Sequence, residues 1–183
     1  MSKTYQIKED DYEKIREFVQ KRKEDAKLYM RRGGFREEDI WVGAMAEFAT
    51  YYYLREKGED CSAPDLTIYS AKEKSYDADI RCNSRFYHVK GQSLRSQKLY
   101  GDSWLLQRYD KIAQKPIKRH YLILCTVDVD NKEVTIKATP SVNSIHYYEL
   151  FGECKHPAFR RTKRALYLSQ ISDKLSKTQL WRV

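Results

Sequence analysis

The sequence predicts an α/β (α+β) fold, in which a helical N-terminal part is followed by strands and a hairpin. Three observations carry this. Apolar residues recur at helical spacing over residues 9–31 and again over 37–57. Polar and apolar residues alternate through residues 76–92, with Asn83-Ser84 placed as a two-residue turn. Two runs rich in apolar and β-branched residues, 120–127 and 133–137, follow with a turn-forming segment at 128–131.

Each element has a local reason. In 9–31 the stripe is Tyr12, Ile15, Phe18, Val19 and Leu28, and Arg31-Arg32-Gly33-Gly34 ends the helix because consecutive glycines make its continuation costly. In 37–57 the stripe is Ile40, Gly43, Ala44, Glu47, Tyr51 and Leu54, and Gly58 closes the helix. A loop through Pro64-Asp65 leads to a strand at 66–69 and then to the hairpin. Residues 93–102, polar and too long for a tight turn, read as a substrate-facing loop. Residues 144–151 and 168–175 read as short helices or irregular turns. No repeat, low-complexity run or linker divides the chain, so residues 1–183 are expected to form one domain with a helical part at 9–57 and a basic C-terminal part at 139–183.

Composition narrows the partners. The formal net charge is +9, the pI is near 9.3, and 33% of residues are charged. An excess of that sign attracts polyanions, and nucleic acid is the expected one. No apolar run approaches the roughly 18 residues that span a bilayer, and the start Met1-Ser2-Lys3-Thr4-Tyr5-Gln6 lacks the apolar core of a signal peptide. The expected location is therefore intracellular, in the cytoplasm, with no membrane partner. Cys61, Cys82, Cys125 and Cys154 show no metal-ligand spacing. In such a compartment they are expected to be reduced, with Cys125 in a core strand.

The hairpin holds the most chemistry. With Asn83-Ser84 as its turn, Asp79 falls opposite His88 and Asp77 opposite Lys90, and Gln92 lies further along the same face. An antiparallel hairpin with one wet face carries polar alternates by default, so the pattern alone does not make a site. Glu47 adds weight: it interrupts an apolar stripe, and a carboxylate facing a core is costly unless a metal, a lysine or a hydrogen-bond donor compensates it. The competing reading is a glutamate at the stripe's edge whose head reaches water.

Together these residues resemble the PD-(D/E)xK nuclease superfamily: Glu47 on a helix, Asp79 and Ile80 on a first strand, His88-Val89-Lys90 on a second, and Gln92 two residues beyond the lysine. The resemblance covers about residues 37–128, within a catalytic core of about 37–138, and implies a restriction-endonuclease-like fold, a central mixed sheet of four to five strands flanked by helices. The family's second acid is His88 here. Pro64-Asp65 matches the motif's literal name, but proline favours a loop and no hairpin pairs it with Lys90. The resemblance further implies a metal-dependent DNA endonuclease of phage, intron-encoded or junction-resolving type, commonly a homodimer. Its catalytic set would be Glu47, Asp79, His88, Lys90 and Gln92. Asp79, Glu47, Asp77 and the backbone carbonyl of Val89 would hold Mg²⁺, or Mn²⁺ if His88 joins as a softer ligand. The alternatives are a binding module that kept the scaffold and lost catalysis, or an unrelated basic α+β protein.

The densest basic cluster, residues 155–164, contains Arg160, Arg161, Lys163 and Arg164 and suits a phosphate backbone. Arg95 and Lys98 in the segment after the hairpin are further candidates for DNA contact. Among the aromatic residues, Trp104 is the first expected to touch nucleic acid, because it adjoins that polar segment.

Overall fold

Five strands pair into a mixed sheet whose two faces are covered by different kinds of structure. A computed structural model describes residues 2–28, 37–68 and 78–175. In chain order the elements are β1 (Lys3–Gln6), α1 (Glu9–Leu28), α2 (Glu37–Glu56), β2 (Ile80–Cys82), β3 (Arg85–Ser93) and α3 (Leu94–Tyr100). There follow β4 (Ser103–Gln107), α4 (Lys111–Gln114), β5 (His120–Asp128), β6 (Glu133–Ala138) and α5 (Val142–Tyr147). A 3₁₀ turn (Pro157–Phe159), β7 (Lys163–Tyr167) and α6 (Leu168–Leu175) complete the set.

The main sheet has five strands in the order β1-β6-β5-β3-β2, and β4 pairs with β7 in a separate two-stranded sheet. Only β3 and β5 run parallel; the other neighbours are antiparallel. The architecture is thus mixed α+β. A parallel pair needs a long crossover, and here α3, β4 and α4 supply it.

Side chains of successive strand residues point to opposite faces, and the two cores follow that parity. Tyr87 and Val89 of β3, with Ile123, Cys125 and Val127 of β5, pack under α1 and α2 together with Ile15, Val19 and Met45. Leu122 and Leu124 of β5 face the other way, into Trp104, Leu106, Ile145 and Leu166. The stripe of α2 is broader than its spacing suggests: Val42, Met45, Ala46, Phe48, Ala49 and Thr50 are also buried, because α2 lies between the sheet and α1. Its end follows the expected glycine logic, with Gly58 at φ 77° and the Glu59 N–H donating to the Leu54 carbonyl at 3.0 Å.

Gly91 shows how closely α2 is seated. A Cβ there would stand 2.7 Å from Val42 Cγ1 and 2.9 Å from the Val42 carbonyl oxygen, so only hydrogen fits. Gly91→Ala is expected to destabilise the fold by about 1–3 kcal/mol by forcing helix and strand apart. Urea unfolding measures it, and an unchanged midpoint would contradict this packing.

Several expectations need correction. Residues 66–68 form no strand, so among the described residues the outer side of β2 meets only the single antiparallel bridge of Cys61 to Cys82. Residues 94–100 are a helix, not a loop, because the Ser93 hydroxyl caps it by accepting from the Ser96 N–H at 3.2 Å. The basic segment 155–164 contains the 3₁₀ turn at Pro157–Phe159 and, from Lys163, strand β7. The cysteines are not all reduced. Cys61 and Cys82 form a disulfide, their Cα atoms 4.4 Å apart, while Cys125 and Cys154 are free and buried. No helix of the described residues is long and apolar enough to cross a membrane.

Candidate active site

The site begins where β2 stops. Asn83, at φ 52°, turns the hairpin, and Ile80 pairs with Tyr87. Continuing that register by one residue sets Asp79 opposite His88, as the spacing predicts. β3 runs on to Ser93 beyond the end of its partner. Asp79 occupies the first vacant position of this edge with its side chain: Oδ2 accepts from the Val89 N–H at 2.7 Å. The N–H and C=O of one residue leave an extended strand on the same side. The Val89 carbonyl therefore faces the same open edge as the Asp79 carboxylate.

Glu47 reaches this edge from the face covered by α2, and Lys90 from the opposite face. The burial of Glu47 is the largest influence on its carboxyl, the Asp79 carboxylate adds to it, and together with Asp65 they outweigh the ammonium of Lys90. The result is a carboxyl pushed up to about 8. It makes no hydrogen bond or ion pair among the described residues, although it is only partly accessible. The structure thus brings Glu47, Asp79 and Lys90 into one electrostatic neighbourhood, with Asp65 added. Pro64 keeps Asp65 off any strand paired opposite Lys90, yet the Asp65 carboxylate still acts on Glu47.

This neighbourhood has a stability signature. An acid that ionises near 4.5 when unfolded and near 8 when folded binds more protons in the native state between those values, so stability is lost as pH rises through that window. Glu47→Gln removes the cost. In metal-free buffer the variant is expected to match the wild type near pH 4 and to exceed it at pH 8 by about 2 kcal/mol, the partial access of solvent screening the remainder. Urea unfolding across pH measures it, and parallel profiles for the two proteins would contradict it.

His88 is differently employed. It is buried, its Nε2 lies 2.8 Å from His120 Nδ1, and the two rings stack with centroids 5.1 Å apart. Burial is the main cause that lowers its pKa to about 4; Lys90 and His120 act in the same direction and Asp79 against it. The ring is neutral at physiological pH. His120 was missed in the sequence because the pairing depends on the parallel register of β3 and β5, which no local pattern encodes.

Gln92 is committed to architecture. Its Nε2 donates to the Gly101 carbonyl at 2.9 Å and to Ser103 Oγ at 3.3 Å, and its Oε1 accepts from the Ser103 N–H at 3.1 Å. It ties the end of β3 to the start of β4. Asp77 lies outside the described residues. Among the described residues, no three His, Cys, Asp or Glu side chains are grouped to hold a metal ion by themselves.

The expected nucleic-acid contacts divide. Trp104 is a correction: it is 1% exposed, sits in the second core, and its Nε1 donates to the Cys125 carbonyl at 2.7 Å. Its size and apolar ring outweigh the polar segment beside it. Arg95 and Lys98 are exposed on α3 along an open cleft of about 700 Å³ that Trp41 and Asp128 also line. Arg160 and Arg161 are exposed. Lys163 stands over the Phe159 ring, 4.5 Å from its centroid, and Arg164 donates to the Ala113 carbonyl at 3.0 Å, so both are half-buried on β7.

The chain matches no protein-family model, no curated protein and no solved structure.

Proposed function

We propose that the chain is a metal-dependent DNA endonuclease of the PD-(D/E)xK type on a restriction-endonuclease-like core. The observation that carries this reading is the meeting of Glu47, Asp79 and Lys90 at the open edge of β3, where burial and the Asp79 carboxylate raise the carboxyl of Glu47 to about 8 against the ammonium of Lys90. A carboxyl that is costly to bury and gains no hydrogen bond or ion pair among the described residues marks a site whose partner comes from outside.

The donor set fits Mg²⁺. Asp79, Glu47 and the Val89 carbonyl are oxygen ligands, and magnesium binds through one or two carboxylates while keeping several waters. Mn²⁺ would serve in the same place. With its Nε2 directed at His120, His88 gives no reason to expect a softer metal. The ion, when bound, supplies neutralisation of charge on the phosphorane oxygens and acidifies the attacking water. The chain's own contributions are separate. Asp79, fixed by the Val89 N–H, presents a preset carboxylate. Glu47 releases its proton as the cation arrives. Lys90 orients the nucleophile and counters charge on the scissile phosphate. Basic residues 155–164 grip the backbone, and cutting both strands of a duplex calls on two such sites, as in a homodimer.

Supercoiled plasmid and branched DNA incubated with Mg²⁺, Mn²⁺ or EDTA test the reading. Nicking or linearisation that EDTA abolishes is the expected result. The replacement of the family's second acid by His88, held away by His120, favours a second reading, a nucleic-acid-binding module without catalysis. It predicts salt-sensitive binding and no cleavage of any substrate with either metal.

A further inference from the structure

We infer that the turn carrying Tyr109 forms, with the segment 155–164, a stacking surface for an unpaired base of the nucleic acid, which makes DNA with unpaired nucleotides, and not continuous duplex, the preferred substrate. This rests on the nucleic-acid reading above and deepens it. Residues 108–119 carry five cations against the single carboxylate of Asp110, and residues 155–164 carry five cations and no carboxylate. The two segments together hold a net +9, the formal net charge of the whole chain. The rest of the protein is therefore balanced, and the entire excess lies on two stretches that the fold joins.

They are joined at the turn itself. The Arg108 N–H donates to the Thr162 carbonyl at 2.9 Å, and its Nη2 donates to the Arg160 carbonyl at 3.0 Å. Arg164 returns the link through the Ala113 carbonyl. Between Arg108 and Asp110 stands Tyr109, 71% exposed and one of three large hydrophobic side chains left in solvent among the described residues. Asp110 next to it caps α4 through the Ile112 N–H at 3.2 Å, and Ile112 shares a core with Leu122 and Leu124, the strand partners of His88 and Lys90, so the turn lies on the face of the sheet that carries His88 and Lys90. An exposed aromatic ring set in a concentrated cationic surface beside a candidate cleavage site offers what an unpaired base uses: a π-face to stack on and cations for the flanking phosphates. A base inside a duplex is already stacked and gains nothing from the ring.

Fluorescence anisotropy in EDTA, with the full chain, separates binding from cleavage. The probes are a labelled single strand, the same strand with abasic sites, and a duplex of equal length. Tyr109→Ala is expected to weaken binding to the base-bearing single strand by roughly five- to hundredfold and to leave the abasic strand and the duplex unchanged. Tyr109→Phe, which keeps the ring, should bind like the wild type and guards against a folding defect. Equal affinity of Tyr109→Ala and wild type for the base-bearing strand, or an equal loss on all three probes, would overturn the inference. A wild type that binds and cleaves DNA while Tyr109→Ala changes nothing removes only this inference; a wild type that binds no probe removes the nucleic-acid reading with it.

Discussion

Lys90→Ala is expected to lower metal-dependent DNA cleavage by about 10²–10³-fold, the loss typical when one preorganised charge at a reacting centre is removed, while DNA affinity stays nearly unchanged. The two effects separate because the charges are separate. On the proposed reading, affinity comes from the surface of residues 108–119 and 155–164, where the net charge is concentrated. Lys90 belongs to neither segment; it is half-buried on β3, and its charge acts on Glu47 and His88. Cleavage rates at saturating protein, beside anisotropy in EDTA, read the two quantities independently. A variant that still cleaves at the wild-type rate would remove Lys90 from the chemistry. A variant that loses binding and cleavage in proportion would make it a contact residue only.

The second large effect concerns the disulfide. Cys61 and Cys82 are separated by 21 positions, and closing a loop of that length stabilises a fold by about 3 kcal/mol through the entropy removed from the unfolded chain. Dithiothreitol should therefore lower the unfolding free energy of the wild type by about that amount and leave a Cys61→Ser variant unaffected. Urea titrations of the two proteins with and without the reductant measure it. Identical midpoints for the wild type in both conditions would show that the bridge is not formed in solution. The bridged loop also contains Asp65 and Asp79, which both act on Glu47, so reduction should loosen the site along with the fold.

What the sequence disclosed was local. The register of the hairpin was legible because an Asn-Ser turn and strict alternation leave few pairings, and Ile80 pairs with Tyr87 as that turn requires. Glu47 was legible because a carboxylate in an apolar helical stripe violates the pattern around it. Strands β5 and β6 announced themselves by long apolar or β-branched runs. The rest depends on distant partners. β1 is four residues long and mostly exposed, and exists only because β6 offers it an edge. β4 and β7 form a ladder between segments some sixty residues apart, so Trp104 was read from its polar neighbours and not from the core it fills. The disulfide went unforeseen because the compartment argued for thiols while the bridge depends on the loop bringing Cys61 beside β2. Leu66 and its neighbours carry strand-like side chains and still form no strand, since nothing pairs with them among the described residues.

The central claim is that Glu47 of α2 and Asp79 at the start of the hairpin serve one divalent cation at the edge of β3. Mn²⁺ titration followed by electron paramagnetic resonance, on the wild type, Glu47→Gln and Asp79→Asn, tests it without any nucleic acid. The account predicts that the wild type binds the ion, that its affinity falls below about pH 8 as Glu47 takes up its proton, and that each substitution weakens binding by at least about tenfold. Mn²⁺ affinity that is the same in all three proteins, or binding absent from the wild type at millimolar ion, would contradict it.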